Sequence, residues 1–461
     1  ADTDLAAVGD PGDREIVYIA PTGDSDPDEG GRHLRAVISL LQRCRARPAG
    51  ITVVTSAAHS VTGDELVEPL HTALWGLART IRVEYPRSRV RLIDTTSPEP
   101  AGIRCAEPEL AWRAGTWYAP SLVPEPADDP AAGVRGKRFL ITGGLGGIGL
   151  YLAEYLARNG CGELTLVGRT VPEDGPRRAR LDKLASDHPV HVIQADVRLA
   201  GEAIRKAGRF DGVFHAAGVL RDGLLRSLSA QAVDDVLAPK IGGVHALDEA
   251  FPADARPGFV ALFSSVAAVH GNLGQSAYAA ANAYLDGYAA RKRAQGEAWY
   301  SLAWGLWDAG MGEAVVEAAA ARGIPALDVT EGLALLGAVL RRPPGNYVLT
   351  ANPQPKGKHM TVAIPQSTLW HSLSEILKRT LQVEHVTADD NLLEMGLDSM
   401  MAVEVAAALS VEGLDVDPAV LFEYPDVGAL LRHLESLPRT TPGTAAQGPQ
   451  AVPPPAAEPV P

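Results

Sequence analysis

The sequence predicts the α/β fold class: two Rossmann-like subdomains, one structural and one catalytic with a doubly wound parallel sheet, followed by a small all-α domain of four-helix type. Strand and helix patterns alternate twice along the chain, a helical pattern without strands follows, and segments rich in proline and alanine separate the parts. The length of 461 residues agrees with about three folding units, at roughly 150 residues per domain.

The first alternating set indicates a structural subdomain over residues 1–133. Helices are expected at 34–41 and 74–83, between strands at Glu15–Ile19, Gly50–Thr55 and Val90–Asp94. No glycine-rich turn follows any of these strands, although such a turn is what lets a backbone approach a dinucleotide. We therefore expect a nucleotide-type fold that holds no nucleotide in this part.

The second alternating set indicates a catalytic subdomain over residues 134–352. It begins after a spacer rich in proline, alanine and aspartate, Pro124–Gly133. Its strands are short apolar runs, as expected for a parallel sheet covered on both faces: Arg138–Thr142, Glu163–Val167, Val190–Ile193, Gly212–His215, Phe259–Ser264 and Trp299–Ala303. Strands alternating with helices predict a doubly wound sheet.

The last part of the chain is predicted to hold a linker over 353–366, an all-α domain over 367–438 and a disordered tail over 439–461. In the helical part apolar residues recur at helical spacing: Leu369, Leu373, Ile376, Leu377, Val427, Leu430, Leu431 and Leu434. The tail consists mainly of alanine, proline, threonine and glutamine, which cannot bury enough apolar surface to offset the entropy of ordering.

Composition excludes several function classes. The net charge of −14 argues against a nucleic-acid surface, and no apolar run approaches the roughly 20 residues of a membrane-spanning helix. The amino terminus shows no secretory signal pattern. Cys44, Cys105 and Cys161 are odd in number and near no histidine pair, which predicts reduced thiols, no metal site and a cytoplasmic location.

A glycine loop predicts a dinucleotide site. It lies between an apolar strand and a helix, and it comprises Gly143, Gly144, Leu145, Gly146, Gly147, Ile148 and Gly149. Glycines permit a tight turn and close approach to a pyrophosphate, which the positive end of the helix then holds. Arg169 stands where folds that prefer NAD carry an acidic residue, and because a guanidinium suits a 2′-phosphate, the cofactor is expected to be NADPH.

Further cofactor contacts are expected at the ends of the following strands. They are Asp196, Val197, Ala216, Ala217 and Gly218. Asp196 fits either of two roles, a contact with the adenine or a cap of the next helix, and the sequence does not separate them.

The candidate catalytic residues surround a tyrosine. Ser264 and Ser265 end a strand, and Tyr278 and Asn282 lie one turn apart on the same face of the next helix. A tyrosine can protonate a developing alkoxide if a nearby ammonium lowers its pKa. Lys240 is the candidate for that ammonium.

With these residues, 136–350 resembles the ketoreductase domain of a type I polyketide synthase, in the short-chain dehydrogenase/reductase superfamily, and 15–132 resembles its catalytically silent structural half, whose motif is Trp75–Thr80. The family serine lies thirteen positions before the tyrosine, which selects Ser265. Asparagine four positions after the tyrosine and lysine upstream are specific to these ketoreductases.

The resemblance implies a role for each catalytic residue in hydride transfer to the 3-keto group of an acyl thioester. Tyr278 gives the proton, Ser265 binds the carbonyl oxygen, Lys240 keeps Tyr278 acidic and Asn282 positions the proton relay.

The resemblance also implies residues that control the configuration of the product hydroxyl. Leu220, Arg221 and Asp222 stand where B types carry Leu-Asp-Asp, and His270 stands where A types carry tryptophan, so a B-type outcome is favoured. Leu273 and Ala277 depart from the B-type proline and asparagine. The segment from Trp304 to Gly312, including Trp307, is expected to shape the substrate cleft, whereas His215 and His270 are expected to be packing or rim residues.

Residues 367–437 resemble an acyl carrier protein. Ser399 follows Asp398 at a predicted helix start, and Leu421–Pro425 lies a short helix later. An ordinary helix N-cap is the alternative interpretation of Asp398 and Ser399. The resemblance implies that Ser399 carries 4′-phosphopantetheine, although the following helix offers only Glu404 as an acidic residue for partner recognition.

The predicted function is NADPH-dependent β-ketoacyl reduction on a carrier, within a polyketide synthase that is expected to be a homodimer. Expected partners are the β-ketoacyl thioester, ketosynthase and acyltransferase domains, and a phosphopantetheinyl transferase. Two alternatives stay open: a catalytically idle scaffold with a working carrier, and the equivalent reductase of a fatty acid synthase, which uses the same residues.

Overall fold

The structure is a computed structural model with two compact units, Ala1–Gln354 and Pro355–Pro461. It describes residues 15–21, 27–43, 48–63, 65–86, 88–96, 107–123, 133–311, 316–321, 324–351, 368–381, 383, 386–387, 390–392, 395–397, 399–411, 414, 416, 420–421, 424 and 426–436. The predicted linker 353–366 and tail 439–461, most of the spacer before 133, Cys44, Cys105, Gly312 and Asp398 lie outside these residues.

The first sheet belongs to the structural subdomain and has the order β1-β2-β3-β4-β5. The strands are Glu15–Ile19, Gly50–Thr55, Arg89–Thr95, Glu109–Arg113 and Thr116–Tyr118, and the helices are α1 (Pro27–Arg43) and α2 (Pro69–Glu84). Strands β1 to β4 are parallel, and β5 returns antiparallel to β4 across a turn in which Ala114 and Gly115 have positive φ. The sequence pattern predicted β1 to β3 and both helices but missed β4 and β5, which are short.

The second sheet is parallel and doubly wound, with the order β12-β11-β10-β9-β6-β7-β8. Its strands are β6 (Arg138–Thr142), β7 (Glu163–Gly168), β8 (Val190–Gln194), β9 (Gly212–His215), β10 (Val260–Ser265), β11 (Trp299–Trp304) and β12 (Asn346–Leu349). The chain runs outward from β6 to β8 and then returns to β9 on the other side. The predicted fold class is confirmed, and only β12 was not foreseen.

Helices cover both faces of this sheet. They are α3 (Gly147–Arg158), α4 (Gly175–Asp187), α5 (Gly201–Ala207), α6 (Ala230–Leu237), α7 (Gly243–Ala250), α8 (Val266–His270), α9 (Ser276–Ala294), α10 (Val316–Ala321) and α11 (Val329–Val339). A short 3-10 turn, Val197–Leu199, and a π-helical turn, Ala238–Gly242, lie between them.

Helices α2 and α9 join the two subdomains through close packing. A Cβ on Gly76 of α2 would lie 2.5 Å from the Ala279 carbonyl oxygen, and a Cβ on Gly287 of α9 would lie 2.3 Å from Thr72 Oγ1. Trp75 is almost fully buried in a hydrophobic core that contains residues of both subdomains. Because large side chains are excluded here, the structural half contacts the helix that carries Tyr278 directly.

The second unit is helical. Its α-helices are α12 (Thr368–Leu381), α13 (Ser399–Val411) and α14 (Val427–Ser436). Their apolar faces form a separate core, and the eight apolar residues predicted from helical spacing are all buried in it. Across the described part of the whole chain, no helix combines the length and apolar character that crossing a membrane requires.

Candidate active site

A cleft of about 420 Å³ opens where the strand order of the second sheet reverses, at the carboxyl ends of β6, β7 and β9. Nucleotide-binding α/β folds bind their ligands at this point. Every residue predicted to contact the cofactor lines the cleft except Gly144. The backbone N–H of Gly144 instead donates to the Val167 carbonyl at 3.2 Å, so this glycine lies behind the lining of the cleft.

The glycine loop has the geometry that a dinucleotide requires. Gly143 has a φ of 72°, and a Cβ there would lie 2.8 Å from the backbone of Ala216. A Cβ on Gly149 would lie 2.2 Å from the Gly143 carbonyl oxygen, closer than any side chain tolerates. Helix α3 begins at Gly147, so its positive end faces a loop without side chains that would block a pyrophosphate.

Two arginines at the far side of the cleft fit a phosphate on the adenosine ribose. Arg169 follows β7, and Arg177 lies in the first turn of α4; both are exposed and line the cleft. Neither forms an ion pair with another of the described residues. Sequence reasoning missed Arg177, although a second basic residue soon after Arg169 was a usable signal.

Asp196 caps the short turn at 197–199. Its Oδ1 accepts the backbone N–H of Arg198 at 3.0 Å, and its carboxylate pairs with the Arg198 guanidinium. That side-chain hydrogen bond from Arg198 is the main reason that the pKa of Asp196 is lowered. Asp196 therefore has the capping role, one of the two that the sequence left open. It also borders the cleft.

The four predicted catalytic residues lie on three adjacent elements. Ser265 ends β10, and its Oγ accepts the N–H of Ala267 at 3.2 Å, which caps α8. The Ser265 side chain also hydrogen-bonds to Tyr278, which lies in the first turn of α9. Asn282 Nδ2 donates to the Tyr278 carbonyl at 2.8 Å, and its buried Oδ1 accepts no hydrogen bond within the described part of the chain.

The pKa of Tyr278 departs from the sequence prediction. Burial raises this pKa, the Asp222 carboxylate raises it further, and the hydrogen bonds from Ser265 and Asn282 oppose both without cancelling them. We expected the Lys240 ammonium to lower it, but the Lys240 Nζ instead donates to the Phe263 carbonyl at 2.5 Å. The raised pKa makes Tyr278 a weaker acid than a free tyrosine, the opposite of the direction that the sequence predicted.

Lys240 lies in the π-helical turn, where Pro239 offers no backbone N–H. Such turns occur often at functional sites because they turn a side chain out of the regular helical pattern. Burial lowers the pKa of Lys240 to about 8, against the opposing effect of the Asp286 carboxylate. Its side chain reaches the cleft floor, since a Cβ on Gly218 would lie 3.1 Å from Lys240 Cε.

Two segments near Tyr278 carry the residues predicted to control configuration. Asp222 accepts from Gln275 Nε2 at 3.1 Å, and Arg221 turns away to pair with Asp235 at 3.3 Å. Leu220 is half-buried, whereas Leu273 is 56% exposed. These two segments thus contact each other through the side chains of Asp222 and Gln275.

Two residues singled out for configuration or for the segment beside the substrate cleft have buried side chains. Ala277 of α9 is buried in the core. Trp307 is buried against Trp304, with ring centroids 4.8 Å apart. Of the two histidines, His215 is buried, and its Nδ1 shares a hydrogen bond of 2.7 Å with Thr142 Oγ1. Burial of the imidazole lowers the pKa of His215 to about 3. His270 is exposed at the rim, as expected.

In the second unit, Ser399 is the first residue of α13, as predicted. The preceding segment turns at Gly396, whose φ is 93°, and Leu392 and Leu397 bury their side chains in the helical core. The N–H of Leu397 donates to the Leu392 carbonyl at 2.8 Å. These contacts fix the start of the helix at which the serine stands.

Three family models match the chain. Residues 1–122 match the model described as the Rossmann fold domain of the polyketide synthase extender module SpnB, 138–309 match the KR domain, and 371–434 match the phosphopantetheine attachment site. Together the three matches cover both halves of the first unit and most of the helical unit.

Similar known proteins are polyketide synthases much longer than this chain. Polyketide synthase GfsB of Streptomyces halstedii is 30% identical over 92% of this chain, which spans 9% of that protein. Erythronolide synthase EryA3 of Saccharopolyspora erythraea is 35% identical over 67% of this chain, which spans 10% of that protein. The chain thus corresponds to only a small part of the length of these relatives.

Solved ketoreductases share the fold of the first unit. The ketoreductase PlmKR1 of phoslactomycin biosynthesis in Streptomyces has a TM-score of 0.64 and 26% identity, covering 73% of this chain and 81% of that one. The first ketoreductase of the tylosin synthase has a TM-score of 0.61 and 27% identity, covering 74% and 90%.

The fold and these matches define a ketoreductase of the short-chain dehydrogenase/reductase type, joined to a phosphopantetheine-binding carrier domain. The chain belongs to the type I polyketide synthase family, of which it carries the ketoreductase and carrier domains. The attachment-site match indicates 4′-phosphopantetheine as a prosthetic group, and the ketoreductase fold implies NADPH binding.

Proposed function

We propose that the chain reduces a β-ketoacyl thioester, carried on its own carrier domain, to the β-hydroxyacyl thioester with NADPH. The observation that carries this proposal is the position of Tyr278, Ser265, Asn282 and Lys240 on adjacent elements, with Lys240 against Gly218 of the glycine-lined cleft. A ketoreductase-like fold kept as an idle scaffold has no physical need for these four residues together.

The cleft residues fit NADPH. The loop at 143–149 would hold the pyrophosphate at the start of α3, and Arg169 and Arg177 would hold the 2′-phosphate. When bound, NADPH supplies the hydride for the β-carbon of the thioester. The residues of the chain then have to stabilise the oxygen and protonate it.

The catalytic residues divide this work. Tyr278, which like any tyrosine is protonated at neutral pH, donates its phenolic proton to the alkoxide oxygen, the stronger base of the two. Ser265 donates a hydrogen bond to the same oxygen, the Lys240 ammonium returns a proton to the tyrosine and is itself reprotonated from solvent, and Asn282 positions this relay. The hydride and this proton complete the hydroxyl group.

We propose further that the product hydroxyl has the B-type configuration, because Asp222 keeps the second aspartate of the B-type Leu-Asp-Asp motif. The acyl chain would be carried on the phosphopantetheine of Ser399, which a phosphopantetheinyl transferase attaches. The domain division of the sequence analysis is part of the proposal, as are ketosynthase and acyltransferase partners, a homodimeric assembly and a cytoplasmic location.

The direct test is to incubate the full chain with a phosphopantetheinyl transferase, load a 3-ketoacyl group and follow NADPH oxidation and product configuration. Reduction to a single hydroxyl configuration supports the proposal. Binding of NADPH without reduction of any 3-ketoacyl thioester would identify an idle scaffold instead.

Arg169→Ala is expected to raise the KM for NADPH by roughly ten- to a hundredfold and to leave the KM for NADH almost unchanged. The reason is the loss of charge-assisted hydrogen bonds to a 2′-phosphate, worth about 1.5–3 kcal/mol. Arg178→Ala is the matched control, since Arg178 pairs with Asp182 and does not line the cleft. Equal losses with both cofactors would reject the phosphate role of Arg169.

The fall of kcat at alkaline pH, the alkaline limb of the pH profile, is expected to follow the deprotonation of Lys240. Its ammonium is present below a pKa of about 8 and is lost as pH rises through that value. We expect kcat, measured by NADPH oxidation at saturating substrate, to fall about tenfold per pH unit above it. Lys240→Met should give a lower kcat without this limb, and a wild-type profile that stays flat to about pH 9.5 would contradict the role.

A further inference from the structure

Glu84 connects the structural subdomain to both segments that carry the configuration residues. It is the last residue of α2 and is half-buried. Its Oε2 accepts the backbone N–H of Leu225 at 2.8 Å, and its Oε1 accepts the backbone N–H of Gly274 at 3.2 Å. A single carboxylate therefore holds one amide from each segment, 141 and 190 residues further along the chain.

The two segments are also bonded to each other next to this carboxylate. The N–H of Gly223 donates to the Gly274 carbonyl at 2.9 Å. Beside this bond, the side chain of Gln275 donates from Nε2 to the Asp222 carboxylate. The configuration residues Asp222 and Leu273 are thus immediate neighbours of the amides and carbonyls in this network.

Other residues of the structural subdomain hold the outer ends of the same segments. Gln42 Nε2 donates to the carbonyls of Leu225 and Leu228 at 2.7 and 2.8 Å, and Thr80 Oγ1 accepts the N–H of Asn272 at 3.3 Å. These bonds attach each segment separately. Glu84, by contrast, bonds to both segments.

The two hydrogen bonds use both carboxylate oxygens of Glu84 as acceptors, so a neutral amide side chain could not replace it. Burial raises the pKa of Glu84, and the hydrogen bonds from Leu225 and Gly274 oppose that rise by stabilising the charged form. Both oxygens act as acceptors, whereas a glutamine would turn an NH₂ group towards one of the two N–H donors. The side chains of Leu224 and Leu273, each one residue before a bonded amide, are 51% and 56% exposed.

We propose that Glu84 is a positioning residue for configuration: from the structural subdomain, it fixes the distance between the Asp222 segment and the Leu273 segment. Glu84 touches neither cofactor nor reacting atoms in this role. It determines which face of the β-keto group the two segments present to the catalytic residues. The inference rests on the proposed reduction of a β-ketoacyl thioester.

The test compares wild type with Glu84→Gln and Glu84→Asp in the full chain. In Glu84→Gln, hydrogen exchange should speed up roughly tenfold or more at whichever of the Leu225 and Gly274 amides faces the new NH₂ group. The same variant should yield a mixture of hydroxyl configurations and a raised KM for the 3-ketoacyl thioester, with an unchanged Kd for NADPH. Glu84→Asp keeps the carboxylate and should restore part of the selectivity.

Glu68→Gln is the matched control. Glu68 precedes α2 at its other end and also bridges the subdomains, through an ion pair with Arg291 at 3.5 Å, but it contacts neither segment. It should leave product configuration unchanged. A variant Glu84→Gln that folds with wild-type unfolding temperature and keeps one configuration and the wild-type KM overturns the role of Glu84. A wild-type chain that oxidises no NADPH overturns the proposed function itself, while the exchange data remain interpretable.

Discussion

Tyr278→Phe is expected to lower kcat for reduction of a 3-ketoacyl thioester by about a hundred- to ten-thousandfold, the usual contribution of a positioned proton donor. The substitution removes only the phenolic oxygen. Because Tyr278 lies in the first turn of α9 and outside the glycine-lined cleft, the Kd for NADPH should stay within about twofold of wild type. Stopped-flow NADPH oxidation and a fluorescence titration measure the two quantities.

Tyr288→Phe makes the same change ten positions later on the same helix and serves as the control. The Tyr288 hydroxyl donates to Asp248 at 2.7 Å and belongs to a network away from the cleft. This variant should keep most of the wild-type kcat. If Tyr278→Phe retained more than about a tenth of wild-type kcat, another group would have to supply the proton, and the assignment would fail.

Ser399→Ala is expected to abolish attachment of phosphopantetheine and, with it, all reduction of carrier-bound substrate. An alanine offers no hydroxyl for the phosphodiester, so intact-mass analysis should show only the unmodified chain. Reduction of a free 3-ketoacyl thioester should continue at the wild-type rate, because the catalytic residues belong to the other compact unit. Comparing the two substrates thus separates delivery from chemistry.

Ser410→Ala alters another serine of α13 and is the control for helix stability. It should be modified and reduced like wild type. Modification of Ser399→Ala by the transferase would place the attachment site elsewhere. Loss of reduction with the free thioester would show that the substitution damages the reductase unit.

Local patterns in the sequence predicted the helix of Tyr278 and the cofactor loop well. Tyr278 and Asn282 are four residues apart, so the periodicity of a helix places them on one face wherever the helix packs. The glycine loop is similarly local, since strand, turn and helix follow one another within a few residues. Their placement needed no information about distant parts of the chain.

Predictions that depended on long-range surroundings were less successful. Lys240 was expected to lower the pKa of Tyr278, but its ammonium donates to the Phe263 carbonyl, and burial raises the tyrosine pKa. The burial of Trp307, in the segment expected to shape the substrate cleft, was not indicated by any local pattern. Strands β4, β5 and β12 were missed, and each of them lies at the edge of its sheet or next to it.

By itself, the sequence determined the α/β fold class, the cofactor loop, the four candidate catalytic side chains and the helix that begins at Ser399, because each depends on neighbours within a few turns. Only the tertiary structure decided which residues of the structural subdomain reach the site. Glu84 carries no motif, and its contacts with Leu225 and Gly274 exist because α2 packs against α9 and brings distant segments together. Burial and hydrogen bonding at such contacts, which no local pattern encodes, also set the pKa values of Tyr278 and Lys240.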